Sequence, residues 1–129
     1  MKLKTSKELV QEAMDKIKTI TPVELKNLTI KNPDAILIDI RDIRELKKTG
    51  KIKGAIHMPR GMLEFWLDPE SPYYKKDISP EKTKIFYCAS NWRSALATQA
   101  IQNMGFENVC HVKGGFQAIV DEGFETEKI

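Results

Sequence analysis

The sequence predicts a single α/β domain: a mainly parallel sheet of about five short strands with helices on both faces. Three observations carry this. Short runs of strand length alternate with segments of helical periodicity. The clearest runs are apolar at successive positions, as in a strand covered on both sides. The 129 residues, 41% of them hydrophobic, match the length of one domain and suffice for one core.

The elements follow in order. Thr5-x-x-Glu8 is a capping box ahead of Leu9, Val10, Ala13, Met14 and Ile17, predicting a helix over residues 6–18. Lys18 to Ile20 reads as a small edge strand. Thr21-Pro22-Val23-Glu24 opens a second helix with a cap, a proline at the first position and a glutamate at the third. Its stripe is Val23, Leu25 and Leu28, and Asn32-Pro33-Asp34 stops it. Ala35 to Ile40 is a buried strand, apolar until Asp39. Asp42-x-x-Glu45 caps a short helix ending at Gly50. Ala55 to Met58 is a short strand closed by Pro59, and residues 61–67 make one or two helical turns with Phe65 and Trp66 facing the core, or one of them lining the pocket mouth. Residues 68–80 carry turn chemistry and read as an exposed excursion. Lys84 to Cys88 is a strand, residues 94–104 a helix stopped by Gly105, and Asn108 to Val112 the last strand. Gly114-Gly115 leads into a closing helix over 116–121. The expected division is an N-terminal helix in residues 1–17, a domain in 18–124 and a tail in 125–129.

Charge excludes some partners. Lys and Arg total 21 against 18 Asp and Glu, interspersed with no block of five like charges. That balance points to neither nucleic acid nor an anionic membrane. No apolar run approaches membrane-span length, and Met1 to Ser6 has positive charge with no apolar stretch behind it. A soluble, cytoplasmic protein is expected. Cys88 and Cys110 form no C-x-x-C, and with His57 and His111 they make a poor zinc set. Without an export signal, free thiols are expected rather than a disulfide.

Cys88 ends a buried strand, where ligands gather in parallel sheets, and a helix begins about five residues later. The loop reads Cys88-Ala89-Ser90-Asn91-Trp92-Arg93, followed by Ser94. Curled round the sulfur, its N–H groups form an anion nest, and the helix aims its positive end at the same point. Both favour thiolate over thiol. Arg93 braces the ring or offers its planar fork to an oxyanion. Cys110, inside a strand, reads as a core thiol, and His57 and His111 as structural hydrogen-bonders. Trp92 is expected to be partly exposed.

These residues resemble the active loop of single-domain rhodaneses: Cys, four residues, Arg, with Ser next. The resemblance covers residues 18–124 and includes Asp39-Ile40-Arg41 with Glu45, Gly54-Ala55-Ile56-His57-Met58-Pro59, and Gly114-Gly115-Phe116. Arg60 to Trp66 is similar to a bacterial subgroup with a longer excursion before the catalytic strand. The resemblance implies a rhodanese-like fold and a sulfurtransferase. Cys88 would take a sulfane sulfur from thiosulfate, a persulfide or a polysulfide and pass it to cyanide, a thiol or a thioredoxin-like protein. The N–H groups of residues 89–93 would stabilise the persulfide, Arg93 would order the loop, and Ser94 would cap the helix. Asp39, Arg41, Glu45 and His57 would form a supporting scaffold. No metal or organic cofactor is implied, and the chain would be a monomer or homodimer. Asn91 stands where glycine is common, so a positive φ is expected there. Lys51 and Lys53, in place of His and Pro, read as surface changes, and Ile119, in place of Trp, as a core swap. Two competing readings remain. One is a non-catalytic binding module of the same fold. The other is a Cys-loop phosphatase or arsenate reductase, whose phosphatase pattern has five residues between Cys and Arg, one more than here.

Overall fold

The computed structural model describes all 129 residues. Thr5, Thr21 and Asp42 form reciprocal capping boxes with Glu8, Glu24 and Glu45, opening α1 (Ser6–Lys16), α2 (Pro22–Lys31) and α3 (Ile43–Thr49). Each box satisfies two N–H groups that a helix start would leave unpaired. Gly50 ends α3 with φ of 76°. A Cβ there would lie 2.7 Å from the Glu127 carbonyl oxygen, so this turn needs glycine for its angle and its close approach.

Seven strands form two sheets. β1 (Thr19–Ile20), β2 (Ile36–Asp39), β4 (Ile56–His57), β5 (Lys84–Tyr87) and β6 (Val109–Val112) make a five-stranded sheet in the order β1-β6-β5-β2-β4. Every neighbouring pair in it is parallel. β3 (Lys51–Ile52) and β7 (Thr126–Glu127) pair antiparallel as a separate ribbon. The remaining helices are α4 (Leu63–Leu67), which follows a 3₁₀ turn at Arg60–Met62, α5 (Trp92–Asn103) and α6 (Gly115–Asp121).

Strand alternation divides the core. On one face Ile38, Phe86, Cys88 and Val109 pack with Leu63 and Leu67 of α4 and Ala97 and Ile101 of α5. On the other, Ile85, Tyr87, Cys110 and Val112 pack with Leu25 of α2 and Phe116 and Ile119 of α6. α1 lies on α5 through Val10, Ala13 and Ala95. Each fully buried aliphatic side chain contributes about 1.5–3 kcal/mol of transfer free energy. Because the five strands run the same way, their carboxyl ends share one edge of the sheet, with β5 and β2 near its middle.

Several expectations need correction. Trp66 packs on the core, but Phe65 is 53% exposed. Leu63 and Leu67, one turn apart, occupy the inner face of a five-residue helix and leave Phe65 outside. Residues 126–127 of the expected tail form β7, beside which Lys51, read as a surface change, is mostly covered, whereas Lys53 is exposed as expected. Lys51 pairs with Glu127, and Lys53 lies 3.2 Å from Glu125. Lys84 is fully buried at the start of β5, and its ammonium donates to the carbonyls of Ser79, Pro80 and Lys82. No helix is long and apolar enough to cross a membrane.

Candidate active site

Cys88 is the first residue after β5 and only 1% exposed. The chain turns over four residues, Cys88 to Asn91, before α5 begins at Trp92, two residues earlier than the periodicity predicts. Close packing beneath forces the turn. The Phe116 N–H donates to the Cys88 carbonyl at 2.8 Å. Gly115 has φ of 67°, and a Cβ there would lie 2.4 Å from the Cys88 carbonyl oxygen and 2.7 Å from that of Ser90. The Gly114-Gly115 pair is therefore the floor of the loop.

The start of α5 meets the sulfur directly. Ser94 N–H, one of the first-turn donors that a helix leaves unpaired, donates to Cys88 Sγ at 3.4 Å. The five N–H groups from Ala89 to Arg93 have no acceptor within the protein. Donors of this kind, with the positive end of a twelve-residue helix, stabilise negative charge on sulfur.

Asn91 does not have the left-handed conformation expected of it. Its φ is −129°, and no residue other than glycine has a positive φ. The side chain explains its place: Oδ1 accepts from Gly114 N–H at 2.8 Å, tying the loop to its floor. Trp92 is 51% exposed beside it.

Arg93 points to Glu45. Nη1 and Nη2 donate to the two carboxylate oxygens at 2.6 and 3.0 Å. This guanidinium holds the Glu45 carboxyl below the usual carboxylate range. Glu45 is also the capping-box residue of α3, so one side chain starts that helix and holds the loop arginine. Asp39 and Arg41 form a buried pair: Arg41 Nη2 donates to Asp39 Oδ2 at 2.9 Å and to the Gly50 carbonyl at 2.9 Å. The Arg41 guanidinium lies 4.2 Å from the Phe116 ring centroid, linking the pair to the loop floor. His57 Nε2 donates to the Arg41 carbonyl at 2.7 Å.

Sequence reasoning missed the contact of His111 with the loop. Its Nδ1 lies 2.8 Å from Ser94 Oγ and its Nε2 2.9 Å from Thr19 Oγ1. Burial pushes the imidazole down to about 4. Strand parity was the available signal: His111 shares a β6 face with Val109, the face that α5 covers. Cys110 points the other way, and burial pushes its thiol up to about 11. A hollow of about 340 Å³ lies beside the loop, bounded by Ala89, Glu45, Lys48, Phe116 and Gln117. A hollow of about 540 Å³ lies near the amino ends of β5 and β6, lined by Glu81, Phe106 and Asn108, away from the thiol.

The chain is similar in sequence and fold to known proteins. A solved structure of a Rhodopseudomonas palustris protein of unknown function, described as a possible tyrosine phosphatase, is 41% identical. It matches 98% of this chain and 97% of its own, with a TM-score of 0.90. The polysulfide-sulfur transferase homodimer of Wolinella succinogenes is 32% identical over 95% of this chain and 87% of its own, with a TM-score of 0.74. A mouse thiosulfate sulfurtransferase/rhodanese-like domain-containing protein 3 is 30% identical over 86% of this chain and 73% of its own length. A tRNA uridine(34) hydroxylase of Hamiltonella defensa is 35% identical over 69% of this chain, which spans 24% of that protein. The model of the Rhodanese-like domain matches residues 21–122, most of the chain and all of the loop and its floor, and the chain belongs to that family.

Proposed function

We propose that this domain is a sulfurtransferase that carries a sulfane sulfur on Cys88. The observation that supports this most is the sulfur at the start of α5, bonded by Ser94 N–H and preceded by five N–H groups with no acceptor in the protein. A persulfide is an anion one sulfur atom longer than a thiolate, and such donors fit that charge.

The steps balance without a cofactor. Cys88 thiolate attacks the outer sulfur of thiosulfate, forming one S–S bond and breaking another, and sulfite leaves with the bonding pair. With a polysulfide or persulfide donor, the shortened thiolate leaves instead. Cyanide or an acceptor thiolate then attacks the outer sulfur of the Cys88 persulfide, yielding thiocyanate or a new persulfide and restoring the thiolate. This double displacement gives ping-pong kinetics.

Loop charge bears on the donor. Ala89, Ser90, Asn91 and Trp92 are uncharged, and Arg93 is matched by Glu45. The loop side chains thus offer no uncompensated cation to the compact thiosulfate dianion, and half-exposed Trp92 offers apolar surface instead, which favours a polysulfide, whose charge is spread along a sulfur chain, or a protein persulfide as donor. A higher kcat/KM with polysulfide than with thiosulfate is expected. The resemblance to a possible tyrosine phosphatase supports a second reading, oxyanion ester hydrolysis. Four residues between Cys88 and Arg93, and an Arg93 fork already filled by Glu45, weigh against it.

Intact mass spectrometry after exposure to each donor tests the proposal. The expected result is a gain of one sulfur atom, absent in Cys88→Ser, kept in Cys110→Ser and released by cyanide. Thiocyanate formation by Cys88→Ser would end it. Aryl-phosphate hydrolysis by a wild-type protein that gains no sulfur would replace it with the second reading.

A further inference from the structure

We propose that His111 is a positioning residue for Cys88: by holding the Ser94 hydroxyl, it keeps the Ser94 N–H aimed at the sulfur. This rests on Cys88 being the nucleophile, and on no particular donor or acceptor.

Four observations carry it. First, α5 starts without the usual side-chain cap, because Asn91 gives its side chain to Gly114. The first turn therefore lacks the bond that commonly fixes it. Ser94, third in that helix, is held by other means: its hydroxyl lies 2.8 Å from His111 Nδ1, and its carbonyl accepts from Thr98 Oγ1 at 2.7 Å. Second, packing alone gives no reason for an imidazole here. His111 is fully buried, and Val109 shows that an aliphatic side chain suits the same face of β6. Burying two ring nitrogens costs free energy unless both are bonded, and both are.

Third, the chain from sulfur to edge strand is continuous: Cys88 after β5, Ser94 on α5, His111 on β6 and Thr19 on β1. Fourth, it closes with either ring tautomer. Ser94 Oγ also lies 3.3 Å from the Asn91 carbonyl oxygen, and Thr19 Oγ1 lies 4.0 Å from Met14 Sδ. Each hydroxyl thus donates either to the ring or away from it, and the ring supplies the complementary donor or acceptor. The hold on Ser94 survives a shift of the ring proton.

The test follows the rate of Cys88 alkylation by iodoacetamide against pH, in a Cys110→Ser background so that the label reports one thiol. The nearby charged pair, Arg93 and Glu45, is the same in every variant. His111→Asn places an amide near the position of Nδ1 and should stay within about twofold of the parent at neutral pH. His111→Gln projects its amide toward Thr19 and should react roughly fivefold more slowly, what one hydrogen bond is worth, with its profile moved to higher pH. Ser94→Ala keeps the N–H but loses the hydroxyl, and should behave like His111→Gln. The double variant should be no slower than either single one. Equal rates for Asn and Gln, an additive double variant, or an unchanged profile in Ser94→Ala would each overturn the proposal. Ser94→Ala introduces a strong helix former, so it decides the matter even if a His111 variant does not fold. Alkylation needs no sulfur donor, so the result stands apart from the fate of the sulfurtransferase reading.

Discussion

Asn91 shows how a short loop is set by partners distant in sequence. With φ at −129°, a glycine would relieve no strain there, and the side chain's bond to Gly114 N–H would be lost. Asn91→Gly and Asn91→Val should therefore both lose about 1 kcal/mol of stability and load sulfur more slowly. Thermal unfolding and loading rates check this, and a Gly variant equal to wild type would refute it. Gly115→Ala should be worse. Its Cβ would meet backbone on three loop residues, and misplacing the sulfur by about 1 Å costs on the order of 10²-fold in rate. Gly123→Ala, at a positive φ with open space around it, should cost stability alone. At this scale the sequence told which residues make the loop, because Cys88 to Ser94 are contiguous. It did not tell where they reach. Asn91 bonds 23 positions away and Arg93 bonds 48 positions away, and no local rule connects such pairs.

Helices were legible where their signals are local. All three capping boxes lie on the residues that spell them, since a cap and its glutamate are three positions apart. The ribbon of β3 and β7 was illegible for the opposite reason. Each strand has two residues, too few for a period, and Lys51 pairs with Glu127 far along the chain. The boxes also differ in reach. Asp42→Ala and Thr5→Ala should each cost about 1 kcal/mol in thermal unfolding. Only Asp42 shares its glutamate with Arg93, because Glu45 Oε1 accepts from both Asp42 N–H and Arg93 Nη1. Sulfur loading should therefore slow in Asp42→Ala and stay at the wild-type rate in Thr5→Ala.

Over the whole molecule, alternating elements made a parallel sheet legible, whereas the strand order depends on which apolar faces meet. Burying His111 has a consequence for overall stability. Its imidazole falls from 6.5 in the unfolded chain to about 4 in the folded one. The unfolded chain thus binds the extra proton first, and the stability that neutral His111 contributes is complete above 6.5 and lost as pH falls toward 4. The melting temperature should decline from pH 6.5 to 4.5, and His111→Asn should flatten that decline; an equal decline in both proteins would refute the assignment. The two thiols, finally, stand on opposite faces of one sheet, Cys88 under α5 and Cys110 towards α2 and α6. On the proposed chemistry, a sulfur taken up at Cys88 has no second thiol of the domain within reach, so the loaded form cannot discharge by itself. The domain is then a store with one place, emptied only by collision, and its loaded lifetime is set by the concentration of an outside acceptor rather than by any clock in the fold.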